Sequence, residues 1–132
     1  MRIRPQWSSA VLVTLLFGST GSVCVPTLRE GDPQLEAIKL PPGFQITVYA
    51  EGVTNARAMC WGDKGTLFVG SRSEGVVHAL RDTDGDGTMD ERTLVAKDLN
   101  MPVGVAFKNG SLYVSAVSSI LRYDGIEDRL NA

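Results

Sequence analysis

The sequence is poor in the residues from which catalytic centres are most often built. It has one histidine, His78, and two cysteines, Cys24 and Cys60, which cannot make a disulfide framework. It has no Gly-x-Ser-x-Gly elbow, no Cys-x-x-Cys, no His-Glu-x-x-His and no phosphate-binding glycine loop. No lysine or arginine cluster stands out, and the net charge is −2, so a nucleic-acid partner is excluded for want of a basic face. No apolar run is long enough to cross a bilayer; the longest, Ala10 to Phe17, is too short. The 43% apolar and 21% charged residues are ordinary for a soluble fold.

That short apolar run has another use. Arg2 and Arg4 precede it and the small residues Gly18 to Ser22 follow it, the pattern of a cleaved signal peptide over residues 1–24. The protein is therefore expected in the periplasm or outside the cell. Cys24 stands where a bacterial lipoprotein carries its lipid anchor, but Val23 is bulkier than the small residue usual before such a cysteine. Residues 25–37 hold two prolines, three acids and no periodicity, and read as a linker. Folded structure is expected over 38–132.

Within that region the sequence repeats itself. Asn55 to Val69 and Asn100 to Val114 share one plan, with Gly65 matching Gly110, Leu67 matching Leu112 and Val69 matching Val114, 45 residues apart. Asn55 and Asn100 keep the same offset. A period of this size with several short strands per unit reads as blades of an all-β propeller. The first blade spans about residues 55–99, with strands expected at Ala56–Trp61, Thr66–Ser71, Val76–Leu80 and Glu91–Ala96. The second, partial blade spans about 100–124, with Lys108-Asn109-Gly110 as its hairpin and Ser119–Tyr123 as its third strand. A further strand is expected at Phe44–Tyr49, where apolar and polar residues alternate. Asp124-Gly125-Ile126-Glu127 has the form of a capping box before one short helical turn. Six such blades would need roughly 270 residues, so this chain supplies about two. Without a third blade, Leu112, Val114, Ile120 and Leu121 are expected to lack cover.

The two units are separated by an acidic stretch, Asp82-Thr83-Asp84-Gly85-Asp86-Gly87-Thr88-Met89-Asp90. Asp82, Asp84 and Asp86 fall at positions one, three and five of a calcium loop, Gly87 at six, Thr88 at seven and Asp90 at nine. Position twelve is Thr93, so the bidentate glutamate of an EF-hand is missing. One reading is a hairpin stapled by calcium through Asp82, Asp84, Asp86, Thr88 and Asp90. The other is an unmetallated turn, since Asp and Gly are common turn formers. Three carboxylates this close repel one another without a cation. His78 lies in an expected strand and reads as structural, as does Cys60.

Six pieces occur in order: Leu40-Pro41-Pro42-Gly43-Phe44, Asn55-Ala56-Arg57, Asp82 to Gly87, Leu99-Asn100-Met101-Pro102, Gly104-Val105-Ala106-Phe107, and Ile120-Leu121-Arg122-Tyr123-Asp124. Together they resemble the L-sorbosone dehydrogenase-like family, a branch of the soluble sugar dehydrogenases that use pyrroloquinoline quinone (PQQ), over about residues 37 to 130. The resemblance implies a six-bladed propeller oxidising a small sugar or sugar aldehyde, with the quinone at the channel mouth, a histidine base, and calcium polarising the cofactor. It implies that the catalytic histidine lies after the second blade's strands, a position His78 does not match. Arg72 and Asn100 match stretches near the family's channel and are its implied cofactor contacts. Val103 departs from a frequent asparagine, and Ala116, Ser118 and Ser119 from frequent Glu, Asn and Arg. Two other readings of the same residues are a non-catalytic propeller used for binding or scaffolding, and a calcium-binding adhesion-type repeat.

Overall fold

A computed structural model describes residues 35–130 of the chain. The expected signal peptide, Cys24 and most of the linker lie outside these residues. The chain divides into two compact units at Ala37/Ile38, and the described part of the first is a single 3-10 turn, Leu35–Ala37. Among the described residues no helix is long and apolar enough to cross a membrane.

The second unit is built of antiparallel strands. Strands β1 (Ala56–Trp61), β2 (Leu67–Ser71), β3 (Val77–Arg81) and β4 (Glu91–Ala96) form sheet A in sequence order. Strands β5 (Gly104–Lys108), β6 (Ser111–Ala116) and β7 (Ser119–Asp124) form sheet B, and one helical turn, α1 (Ile126–Arg129), follows. Each chain reversal has a local cause. Asn109 and Gly110 both adopt positive φ, 51° and 76°, as a two-residue hairpin of the twist-matching type requires. In sheet A the corresponding turn is one residue longer: Gly62 N–H donates to Thr66 C=O at 2.8 Å around Asp63-Lys64-Gly65, with Gly65 at φ 81°.

That extra residue shifts the repeat. Ala58 pairs with Gly70, but Gly104 pairs with Ser115. The central strands therefore keep the 45-residue offset while the first strands slip by one, so Asn55 and Asn100 are not structural equivalents.

Period-two alternation decides the faces. Phe68, Val77 and Ala79 of sheet A meet Leu112 and Val114 of sheet B, all buried, and Phe68 stacks on Phe107 with ring centroids 5.6 Å apart. Gly70 leaves room for the chain entering sheet B: a Cβ there would collide with the carbonyl of Pro102. Leu112 and Val114, expected to lie bare, are thus covered by sheet A; of the expected four only Ile120 is largely exposed, at 76%. The opposite face of sheet A, with Leu67, Val69 and Leu80, is covered by Tyr49, Ala50, Val53 and Met89.

Two further expectations fail. Residues 44–49 form no ladder; 44–47 are exposed, and the chain meets sheet A at Tyr49, whose carbonyl accepts from Met89 N–H at 2.8 Å. A strand needs a partner as well as a pattern, and here the adjoining residues serve as a cover. The capping box is not formed either. Asp124 belongs to β7, where its carboxylate accepts from Ser111 Oγ at 2.7 Å and from Arg122, so Gly125 caps α1 without a side-chain bond. Glu127 instead accepts the Lys64 N–H at 3.1 and 3.2 Å, and Lys64 pairs with Asp128. The turn of helix thereby ties sheet B to the first hairpin of sheet A.

Candidate functional site

Two places collect polar side chains, and they lie at opposite ends of sheet A. The first is the loop between β3 and β4. Asp82 organises it: Oδ1 accepts from Gly85 N–H at 2.7 Å and Oδ2 from Gly87 N–H at 2.9 Å. Both glycines sit at positive φ, 80° and 88°, which a side chain would resist. Asp84 Oδ1 accepts from Asp86 N–H at 3.1 Å, and Asp86 Oδ1 from Thr88 N–H at 2.7 Å, two successive Asx turns. This winding brings one oxygen each of Asp82, Asp84 and Asp86 within 4.8 Å of one another. Thr88 sits beside the cluster through its bond to Asp86.

Asp90 is used differently from the other acids. Its Oδ2 accepts from the Thr83 N–H at 2.7 Å and the Thr83 hydroxyl at 2.8 Å, closing the neck of the loop. Those two bonds, the backbone one first, hold the Asp90 carboxyl below its ordinary value. Asp90 N–H donates to Arg81 C=O at 2.9 Å, and Arg81 pairs with Glu91 at the same neck. The field of the loop reaches Tyr49: burial first, then the charges of Asp82 and Asp90, raise its phenol. The loop thus gathers three carboxylates, two of them exposed, in an arrangement that could hold a metal ion.

The second place is the far rim, where β1 begins and β2 ends. Arg72 N–H donates to Asn55 C=O at 3.1 Å, and Asn55 Nδ2 donates to Glu74 at 3.1 Å. Leu99 N–H donates to Gly75 C=O at 2.9 Å, next to Asn100. Gly75 has φ 66°, and a Cβ on it would come within 2.6 Å of the Leu99 carbonyl, so the close approach needs glycine. Arg72 and Asn100 are both exposed on adjoining loops of this rim. Val103 enters β5 from the same side, and Ala116, Ser118 and Ser119 surround the β6–β7 turn there. The five residues of β3 separate this rim from the acidic loop, about 15 Å at the rise of a strand.

His78 belongs to neither place. It lies in β3 opposite Val69 and Leu94, on the outer face of sheet A. Its Nδ1 is buried without a hydrogen bond among the described residues, and burial first, then Arg92, lowers its pKa. Arg92 itself donates to Gly52 C=O at 2.8 Å. Cys60 packs against the inter-sheet core, and burial raises its thiol.

Residues 31–129 match the family model described as a domain of unknown function, DUF7133. The chain belongs to the DUF7133 family. No curated protein and no solved structure matches it. The match takes in both sheets, the acidic loop and the rim, so in this DUF7133 domain the two polar places belong to one unit of sequence. The Asp-rich loop could be found from spacing alone. At the rim only Arg72 and Asn100 were singled out, by the resemblance; Glu74 and Gly75 carry no motif, and the pairing of two loops at a sheet end brings them in.

Proposed function

We infer that this DUF7133 domain forms two blades of a β-propeller in an exported quinoprotein of the sorbosone dehydrogenase-like type, oxidising a small sugar or sugar aldehyde. The observation that carries the reading is the repeat: two antiparallel sheets whose central strands match at Leu67/Leu112 and Val69/Val114 and pack face to face. Propellers are built by such radial repetition of small sheets. The ordered motifs that resemble the family add the chemistry.

In this reading Arg72 and Asn100 hold the quinone, and both are exposed on one rim. An arginine fork suits the carboxylates of PQQ through paired charge-assisted bonds, and an amide suits its carbonyl edge. When bound, the quinone would accept hydride from the substrate; the part of these residues is to bind and orient it. Calcium in the Asp82 loop has a different role. Some 15 Å of strand lies between that loop and the rim, by the rise of a strand, so the ion would staple the β3–β4 hairpin rather than polarise the quinone.

The second reading is a non-catalytic propeller used for binding. It is favoured by the rim positions Val103 and Ala116, which offer no polar group where the resembling family often has one. Dye reduction by the full-length protein, loaded with PQQ and calcium and offered a panel of aldoses and sugar aldehydes, separates the two. Turnover that falls in Arg72→Ala supports the quinoprotein. PQQ binding without turnover on any of them supports the binding module.

A further inference from the structure

Arg72 differs from other arginines that stand near an acid. Arg81 pairs with Glu91, and Arg122 pairs with Asp124 only two residues further on. Glu74 likewise stands two residues beyond Arg72, on the same loop. Yet the two form no ion pair, and the Arg72 guanidinium has no partner among the described residues.

Asn55 accounts for the difference. Its Nδ2 donates to Glu74 Oε1 at 3.1 Å, and its C=O accepts from Arg72 N–H at 3.1 Å. One residue thus holds the acid by its side chain and the arginine by its backbone. It does so at φ 55°, a left-handed conformation that asparagine tolerates better than most residues. The loop has little freedom to rearrange. Ser71 N–H donates to Val76 C=O at 3.1 Å, and Ser71 Oγ bonds both the N–H and the C=O of Val76 at 2.9 Å, closing the neck. Gly75 C=O accepts from Leu99 N–H at 2.9 Å on the other side. Asn55, Arg72 and Glu74 are all exposed, so the Asn55–Glu74 bond is a small term in stability. What it decides is which groups stay open.

We propose that Asn55 is a positioning residue that engages Glu74 and so keeps the Arg72 guanidinium open to a carboxylate ligand. Without the amide, Glu74 is released to pair with Arg72, and a ligand must displace that internal carboxylate. The apparent affinity then falls with the fraction of molecules whose arginine is occupied. That the ligand is the quinone rests on the proposed quinoprotein function; that the arginine is kept open does not.

Two measurements on the full-length protein test this. One titrates it with PQQ at low ionic strength. The other labels the arginines of the ligand-free protein with phenylglyoxal and locates them by mass spectrometry. Asn55→Gly keeps the left-handed backbone and removes only the amide. It should weaken PQQ binding about fivefold, the size of an exposed ion pair, and slow the labelling of Arg72. The weakening should shrink at high salt. Glu74→Gln alone should bind and label at least as well as wild type. Asn55→Gly combined with Glu74→Gln should regain both, because no acid is left to occupy the arginine. A loop merely loosened by glycine would not be rescued by the second change. No PQQ binding by wild type, with the labelling pattern as stated, overturns the quinone reading and supports the open arginine. Unchanged binding and labelling in Asn55→Gly, or losses that Glu74→Gln does not restore, overturn the proposal.

Discussion

Sheets A and B are written in nearly the same pattern, yet they stand in different surroundings. Sheet A is covered twice, by sheet B on one face and by Tyr49, Ala50, Val53 and Met89 on the other, and every residue of its central strand β2 is buried. Among the described residues sheet B is covered once. Its central strand β6 buries Leu112 and Val114 but leaves Tyr113 and Ser115 facing a shallow concavity of about 270 Å³ lined also by Gly104, Ala106 and Ile120. The difference teaches that alternation tells which residues share a face, and the neighbour decides which faces are wet.

The contrast is broken most strongly at its centre. Phe68→Ala should cost about 3–5 kcal/mol, because a fully buried aromatic between two sheets leaves a cavity neither can fill. Tyr113→Ala, on the outer face of sheet B, should cost no more than about 1 kcal/mol. Urea denaturation of the two variants against wild type reads the pair, and equal losses would mean that the two faces are equally covered.

Among the described residues the acidic loop has no counterpart in sheet B, so a ligand for it binds sheet A and, through the shared transition, stabilises the whole unit. At calcium a hundredfold above its dissociation constant, about 2.7 kcal/mol should appear as a rise in Tm. Asp84→Ala should abolish the rise, and magnesium should give less of it. Isothermal titration showing the same calcium heat for wild type and Asp84→Ala would mean a bare turn.

Two glycines sharpen the comparison further. Gly70→Ala should cost about 1–3 kcal/mol, since the added methyl meets the Pro102 backbone between the sheets. Gly65→Ala has open space around it and should cost only the left-handed conformation, about 1–2 kcal/mol. Thermal melts of both distinguish collision from strain: Gly65→Asn, which tolerates the left-handed conformation, should recover most of the Gly65→Ala loss, whereas Gly70→Asn should lose at least as much as Gly70→Ala.

The smallest effect is on pH. Asp90 is held below its ordinary value by the Thr83 N–H and then the Thr83 hydroxyl, and Asp124 by the Ser111 hydroxyl and then Arg122. A lowered folded pKa contributes stability that is present above the unfolded value, near 4, and is lost as pH falls through the folded one. Both residues are exposed, so Asp90→Asn and Asp124→Asn should only flatten the acid limb of a stability–pH profile.

Much of this fold could be read from residues alone. The hairpins followed from Asn109-Gly110 and Asp63-Lys64-Gly65, and β1 and β4 fall where the sequence pattern places them. What could not be read depends on partners distant in sequence. Phe44–Tyr49 has the pattern of a strand but meets no edge. Leu112 and Val114 looked bare because the covering sheet precedes them rather than follows. Asp124 resembled a cap until Ser111 and Arg122 claimed its carboxylate. The single-residue slip between Asn55 and Asn100 is invisible without the ladder, because a gap of one in a turn leaves the pattern intact.

The central claim is that the two repeated sheets pack face to face as one unit through Phe68 and Phe107. A double-mutant cycle on Phe68→Ala and Phe107→Ala, measured by denaturant unfolding, tests it most directly. Stacked rings 5.6 Å apart should show a coupling of about 0.5–1.5 kcal/mol, with a single transition for both sheets. Additive losses with no coupling, or two separate transitions, would contradict it.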